Sequence, residues 1–283
     1  MLALFVAAGC ARSQLATTQR LALAGAQIPL ELVESWLRES KNPAFKVERV
    51  QPVYLSQHGF EHLAGGTADI ACADRQLSKL ERKERFADGR VQGFRIGFYG
   101  YALYVNPANK LDSIFAGHLG LLFQRKIRDW SELAAGQTPG LEGPIRLIGP
   151  EKRTRGGEVL MRQAKIWFDR PTWEPRETDA EIIDAVAADP LALGFASVGY
   201  DQGVRYLGLR MERGAEPVFP SLEQIENETY GLAKVIYLYV RTPVSPAVQA
   251  ALDYLHNPEG RRAIESTNVW PVSQDRSRVA EDR

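Results

Sequence analysis

Apolar and polar positions recur along this chain with two periods, strand-like and helix-like, and the periods alternate. Residues 20–26 (Arg-Leu-Ala-Leu-Ala-Gly-Ala) predict a short strand that ends at a glycine turn. Pro29 then opens a helical pattern that puts Leu32, Val33, Trp36 and Leu37 on one face. Lys46 to Val50 alternates as a second strand, Gly59 to Leu63 reads as a helix, and Ala68 to Ala73 is a strand of small residues ending at Asp74-Arg75. Phe98 to Val105 predicts a strong strand stopped by Asn106-Pro107, with a helix from there to Phe123. Ile145 to Gly149 is a strand, Gly156-Gly157 opens a helix from Glu158 to Phe168, Ala180 to Ala188 is a helix, and Leu193 to Ala196 is a buried strand. Ala233 to Val240 is the most β-prone run, followed by helices from Ser245-Pro246 to Leu255 and from Pro258 to Glu265.

Strands alternating with helices imply βαβ units and a largely parallel sheet. The economical arrangement is two α/β lobes joined by the long strands near residues 98–105 and 233–240. Lobe 1 takes residues 20–104, lobe 2 takes 105–231, and 232–272 returns to lobe 1, with crossings near Val105 and Gly231. No repeat or low-complexity block is visible. The polar, non-periodic residues 273–283 are expected to form a solvated, mobile tail.

Residues 1–19 precede the lobes. The apolar run from Met1 ends at Ala7-Ala8-Gly9-Cys10, which resembles the lipobox of a bacterial lipoprotein signal and would make Cys10 the acylated first residue. The run is short of the roughly 20 apolar residues that span a bilayer, so membrane attachment would be through the lipid anchor only. No Lys or Arg precedes it, and an apolar N-terminus of a cytoplasmic protein is the alternative. With Cys10 acylated, the other cysteine, Cys72, has no partner and is expected as a buried free thiol. Two cysteines this far apart suggest neither a zinc site nor a redox motif.

The chain has 283 residues, with Lys plus Arg and Asp plus Glu both at 35, so its formal net charge is zero. That balance argues against a nucleic-acid partner, which calls for surplus positive charge. Hydrophobic residues at 45% and charged residues at 25% are ordinary for a packed domain. Any anion chemistry must therefore be local.

Three places combine a strand end, a small residue and a helix start: Gly25-Ala26-Gln27, Ser56-Gln57-His58-Gly59 and Arg155-Gly156-Gly157. Helix N-termini present unpaired N–H groups and positive dipole, so three of them converging would hold an oxyanion. Structural βα turns are the alternative at each. In order along the chain stand Gly25-Ala26-Gln27-Ile28-Pro29 with Trp36, Ser56-x-x-Gly59, and Gly66-Thr-Ala-Asp69-Ile-Ala-Cys-Ala-Asp74-Arg75-x-Leu77-Ser78. Tyr104-Val-Asn-Pro107, Phe123 to Trp130, Gly194 to Tyr200 and Tyr237-Leu-Tyr-Val240 follow. Together, over about residues 20–270, these resemble the periplasmic phosphate-binding proteins that serve phosphate ABC transporters.

The resemblance implies an α/β, two-lobed type II periplasmic-binding-protein fold, each lobe a mainly parallel sheet flanked by helices, with the ligand cleft between lobes. It implies an extracytoplasmic binder of inorganic phosphate or a related oxyanion, with an ABC permease as partner, no cofactor and no catalysis. A monomer is expected. Ser56 aligns with a serine that donates hydrogen bonds to phosphate, and Asp74 with the binding-site aspartate. A carboxylate accepts a hydrogen bond from an anion that keeps a proton, so Asp74 would favour phosphate over sulfate; a surface pair with Arg75 or a helix cap is the alternative. Gln27, beside Ala26, stands where the family has Thr or Ser. Glu151-Lys-Arg-Thr-Arg-Gly-Gly-Glu158 replaces the family's Arg followed by Ser-Gly-Thr. Within it Arg153 or Arg155 is the candidate guanidinium, Thr154 the hydroxyl, and Gly156 and Gly157 the helix start; an exposed basic loop is the competing reading. That departure keeps open a surface lipoprotein that uses the fold for adhesion, sensing or scaffolding.

No nucleophile elbow, Walker loop or dinucleotide fingerprint is present. His58 and His62 share a helix face, but no third ligand stands nearby, so no metal is expected.

Overall fold

The computed structural model describes residues 19–40, 45–50, 55–133, 141–165, 171–212, 214–272 and 277–279. The first lobe is built from β1 (Gln19–Gly25), α1 (Gln27–Glu39), β2 (Phe45–Arg49), α2 (Ser56–Ala64), β3 (Ile70–Ala73) and α3 (Lys79–Arg85). Then comes β4 (Val91–Val105), a 15-residue strand that runs through both lobes. The second lobe continues with β5 (Ser113–Phe115), α4 (His118–Phe123), a 3-10 turn at Trp130–Leu133, β6 (Arg146–Pro150) and α5 (Arg155–Gln163). It is completed by β7 (Glu174–Arg176), α6 (Asp179–Ala188), β8 (Ala192–Ser197), β9 (Arg205–Arg210) and α7 (Leu222–Glu226). The chain returns through β10 (Ala233–Arg241), α8 (Pro246–His256), α9 (Pro258–Glu265) and β11 (Trp270–Pro271).

The strands lie in the order β2-β1-β3-β10-β4-β8-β6-β7, with β9 and β11 also on β4 and β5 on β9. Pairings β1–β2, β1–β3, β6–β7, β6–β8 and β5–β9 are parallel, as βαβ units require. The two long strands run against their neighbours: β10 is antiparallel to β3 and β4, and β4 to β8 and β9. The parallel character lies on the flanks, while the middle is the pair of strands that joins the lobes. β4 exchanges β10 for β8 between Gly100 and Tyr101, earlier in the chain than Val105. The return strand begins beside the same point, where Tyr101 N–H donates to Leu232 O at 3.0 Å.

The segment after Asn106-Pro107 is not one helix. The Asn106 and Asn109 side chains accept from the N–H groups of Ala108 (2.9 Å) and Leu111 (3.1 Å), turning the chain before β5 and the short α4. The expected end of the α5 helix at Phe168 lies outside the described residues. Part of the tail is ordered: Arg95 N–H donates to Ser277 O at 2.5 Å and Val279 N–H to Gly93 O at 3.0 Å. The open edge of β4 explains this, since its backbone groups need partners; β11 covers Gly97 and Phe98, and residues 277–279 cover the stretch before them. Among the described residues no helix is long and apolar enough to cross a membrane.

Backbone contacts fix the angle between α1 and α2. Gly25 turns β1 into α1 at φ +139, and a Cβ there would lie 1.8 Å from Cys72 O. Gly59, in the first turn of α2, rests on that turn: its Cβ would meet Gly25 Cα at 2.8 Å. Cys72 itself is fully buried and free, and burial pushes its thiol pKa up.

By contrast α3 buries no residue, and polar contacts hold it. Ser78 and Glu81 form a capping box, while the Glu81 carboxylate takes two Arg75 hydrogen bonds at 2.7 and 2.8 Å. The Arg75 guanidinium, outweighing the opposing effect of burial, holds the Glu81 carboxyl at about 2, against an ordinary 4.5.

Two tests follow from these contacts. Gly59→Ala is expected to destabilise by about 1–3 kcal/mol through overpacking, read as a lower urea midpoint at unchanged slope; an unaltered midpoint refutes the contact. Because the Glu81 pKa is depressed on folding, its contribution is present above pH 4.5 and is lost as pH falls toward 2. Glu81→Gln should therefore cost about 1–2 kcal/mol at neutral pH, allowing for solvent around Arg75. The difference from wild type should shrink in acid unfolding curves; a constant difference from pH 7 to pH 2 contradicts the assignment.

Candidate functional site

Six of the helices begin on a hydrogen-bonding side chain: Ser78 caps α3, Thr154 α5, Thr178 α6, Ser221 α7, Ser245 α8 and Asn257 α9. Of the others, α4 follows Gly117, and α1 and α2 begin on Ala26 and Leu55, all without a side-chain cap. The starts of α1 and α2 open onto one cavity of about 280 Å³ lined by Ala26, Gln27, Ile28, Leu55, Ser56, Gln57, Asp74, Arg75 and Arg162. Unpaired N–H groups and the positive ends of two helix dipoles therefore meet there. A Ser or Asp at either cap would fill that space with its own acceptor.

Ser56 and Asp74 close one wall. The Ser56 hydroxyl donates to Asp74 Oδ1 at 2.7 Å, and its oxygen accepts from Asp74 N–H at 3.1 Å. This reciprocal pair fixes the buried serine and aims the aspartate, which follows β3, at the ends of the two helices. The Gln27 amide donates to Glu31 Oε1 at 3.4 Å on the exposed side of α1. Arg75 is engaged with Glu81 and lies over the Phe60 ring, 5.2 Å from its centroid.

The second-lobe candidates are divided. Thr154, Arg155 and Gly156 line a neighbouring cavity of about 390 Å³ at the lobe junction, together with Tyr99, Tyr101, Asp179 and Tyr200 among others. Burial, with the Asp74 charge behind it, pushes the Tyr99 phenol pKa up. Burial raises that of Tyr101 despite nearby Arg155. Both stay protonated and offer neutral hydroxyls. Thr154 serves its own helix, accepting from Gly157 N–H at 3.2 Å and donating to Glu151 O at 2.7 Å. The Arg155 guanidinium spans the lobes and donates to Thr267 O at 2.9 Å. Thr267 in turn accepts from the Trp36 indole N–H through its hydroxyl at 3.1 Å, so the tether ends on α1.

Arg153 and Gly157 line neither cavity. Arg153 is exposed. A Cβ on Gly157 would lie 2.1 Å from Glu151 O, so this glycine lets the loop fold over the start of α5. The sequence pattern thus brings Ala26, Gln27, Ser56 and Asp74 together, sets Thr154, Arg155 and Gly156 in the adjoining cavity, and leaves Arg153 and Gly157 aside. It misses Arg162, whose signal was its spacing: seven residues after Arg155, two helical turns along the same face.

Cys10 lies outside the described residues. Among those described, no three or more His, Cys, Asp or Glu side chains converge on a metal site. His62 Nδ1 pairs with Thr67 Oγ1 at 2.8 Å, and the buried His58 Nδ1 has no partner.

Residues 12–259 match the PBP superfamily domain. The phosphate-binding protein PstS of Pseudomonas aeruginosa is 20% identical over 231 residues, covering 74% of this chain and 70% of that protein. Among solved structures, a possible phosphate binding protein from Planctomyces limnophilus superposes with a TM-score of 0.72 at 20% identity, over 91% of this chain and 94% of that one. An ABC-type phosphate transport receptor from Vibrio cholerae gives 0.60 at 17% identity, over 89% and 99%. The match spans most of the chain and the sheet order accommodates both lobes, so this protein belongs to the PBP superfamily.

Proposed function

We propose that this protein is an extracytoplasmic substrate-binding protein, not an enzyme, that captures inorganic phosphate or a related oxyanion and delivers it to the permease of an ABC importer. The observation that carries this reading is the meeting of two uncapped helix N-termini with the Ser56–Asp74 pair in one cavity. Helix N–H groups hold the oxygens of the anion without a large positive surface. Asp74, fixed by Ser56, accepts a hydrogen bond from the proton that phosphate keeps near neutral pH and sulfate lacks. The names of the relatives support the same ligand class.

Release and capture follow from motion of the lobes about the place where β4 changes partner and Leu232 meets Tyr101. In this reading residues 20–104 and 232–272 form one lobe and 105–231 the other. The protein acts as a monomer, and acylation of Cys10 anchors it to a membrane at the periplasmic or extracellular face. The alternative, a scaffold or adhesion module, draws on the internal commitments of Thr154 and Arg155.

Calorimetric titration with phosphate, arsenate, sulfate and molybdate tests the reading. Phosphate and arsenate should bind and sulfate should not; no oxyanion binding favours the scaffold module. Asp74→Asn should narrow the preference for phosphate over sulfate by about ten- to a hundredfold, since it removes the carboxylate that repels an unprotonated oxygen. Unchanged selectivity removes Asp74 from the site.

A further inference from the structure

An oxyanion held by helix N-termini on one lobe still needs a partner on the other lobe, or closure gains nothing from its presence. Two cationic residues line the cavity, Arg75 and Arg162. Arg75 is held in a two-bond pair with Glu81, donates to Gln76 O at 3.0 Å and covers Phe60. Arg162 belongs to α5 of the second lobe, and among the described residues its guanidinium has no hydrogen-bond or ion-pair partner.

Its position follows from Arg155. The two residues lie about 10 Å apart along one face of α5. Arg155 reaches across the cleft to Thr267 O, and Thr267 is fixed to Trp36 of α1. The tether presses the start of α5 against the first lobe, and the same face, two turns on, carries Arg162 to the cavity. We infer that Arg162 is the second-lobe group that closes on the bound oxyanion, while Arg155 acts as the tether that sets the approach. The inference rests on the oxyanion-binding reading and assigns the guanidinium role to the helix face instead of the Glu151–Glu158 loop. With helix N–H groups on one side and Asp74 on the protonated oxygen, the remaining oxygens face a fork that donates two parallel N–H bonds. Arg162 is exposed, so substituting it leaves the core intact.

The test is titration of wild type, Arg162→Gln, Arg162→Lys and Ser56→Ala with inorganic phosphate at low and high salt, with melting curves to check folding. Arg162→Gln should bind about ten- to a hundredfold more weakly. Its affinity should depend less on salt than that of wild type. Arg162→Lys should fall between, keeping the charge without the fork. Small-angle scattering should show that phosphate compacts wild type more than Arg162→Gln. If wild type and Arg162→Gln bind within twofold while Ser56→Ala is weakened, the oxyanion reading stands and the Arg162 assignment falls. If wild type binds no oxyanion, both fall.

Discussion

The site depends on a backbone contact between two glycines. Gly59 of α2 sits against Gly25 of the β1–α1 turn so closely that any side-chain carbon would collide, and Gly25 is pressed in turn against the Cys72 carbonyl. Helices following neighbouring parallel strands ordinarily start a strand spacing apart. Here the missing side chains allow α2 to ride up onto the preceding turn, so two helix starts and the end of β3 reach one point. Ser56, Asp74 and the free N–H groups of α1 and α2 are grouped for that reason.

The second constraint is the shared pair of long strands. β4 and β10 pair from Val91 to Gly100, and β4 then continues into the other sheet without leaving its extended path. Any motion between lobes would therefore bend one strand and the segment around Leu232, not a free linker. A device of that kind has few states, which suits a binder whose open and closed forms differ by the contacts of one ligand. The Arg155–Thr267 bond and its extension to Trp36 cross the cleft away from the anion cavity. They join the two lobes from within the protein, and in the proposed reading the rest of the closing free energy comes from the ligand.

Much of this was legible in the order of residues, and the exceptions have physical causes. β1, β3 and β10 showed in their alternation or in unbroken apolar runs, because their burial is set by local pattern. The first half of β4 was hidden, since Gly93, Arg95 and Gly97 interrupt the apolar run; the two glycines stand where Tyr239 and Trp270 pack across the sheet. α3 was invisible to periodicity because it has no buried face and stands on the Arg75–Glu81 pair. At the site, Ala26, Gln27, Ser56 and Asp74 could be picked out because each occupies a turn whose chemistry is local. The places that Arg155 and Arg162 reach could not, because each is defined by what the opposite lobe presents. Gly157 stands at a helix start as the sequence suggests, and the close approach of Glu151 accounts for a glycine there.

The helix starts themselves explain why the two lobes differ in what they offer an anion. On α5 the Thr154 hydroxyl already occupies the N–H of Gly157, so that helix start is satisfied from within. On α1 and α2 no side chain does, and in the proposed reading their free donors are left for a ligand. In that reading the first lobe supplies dipoles and a carboxylate, and the second supplies a side chain that arrives when the lobes meet. Such a site needs one mobile cation, not a basic surface. A chain with 35 basic and 35 acidic residues can hold a small anion on those terms. Its balanced net charge gives polyanions no overall attraction to the chain, and in the proposed reading selection rests on the shape and protonation of what fits inside.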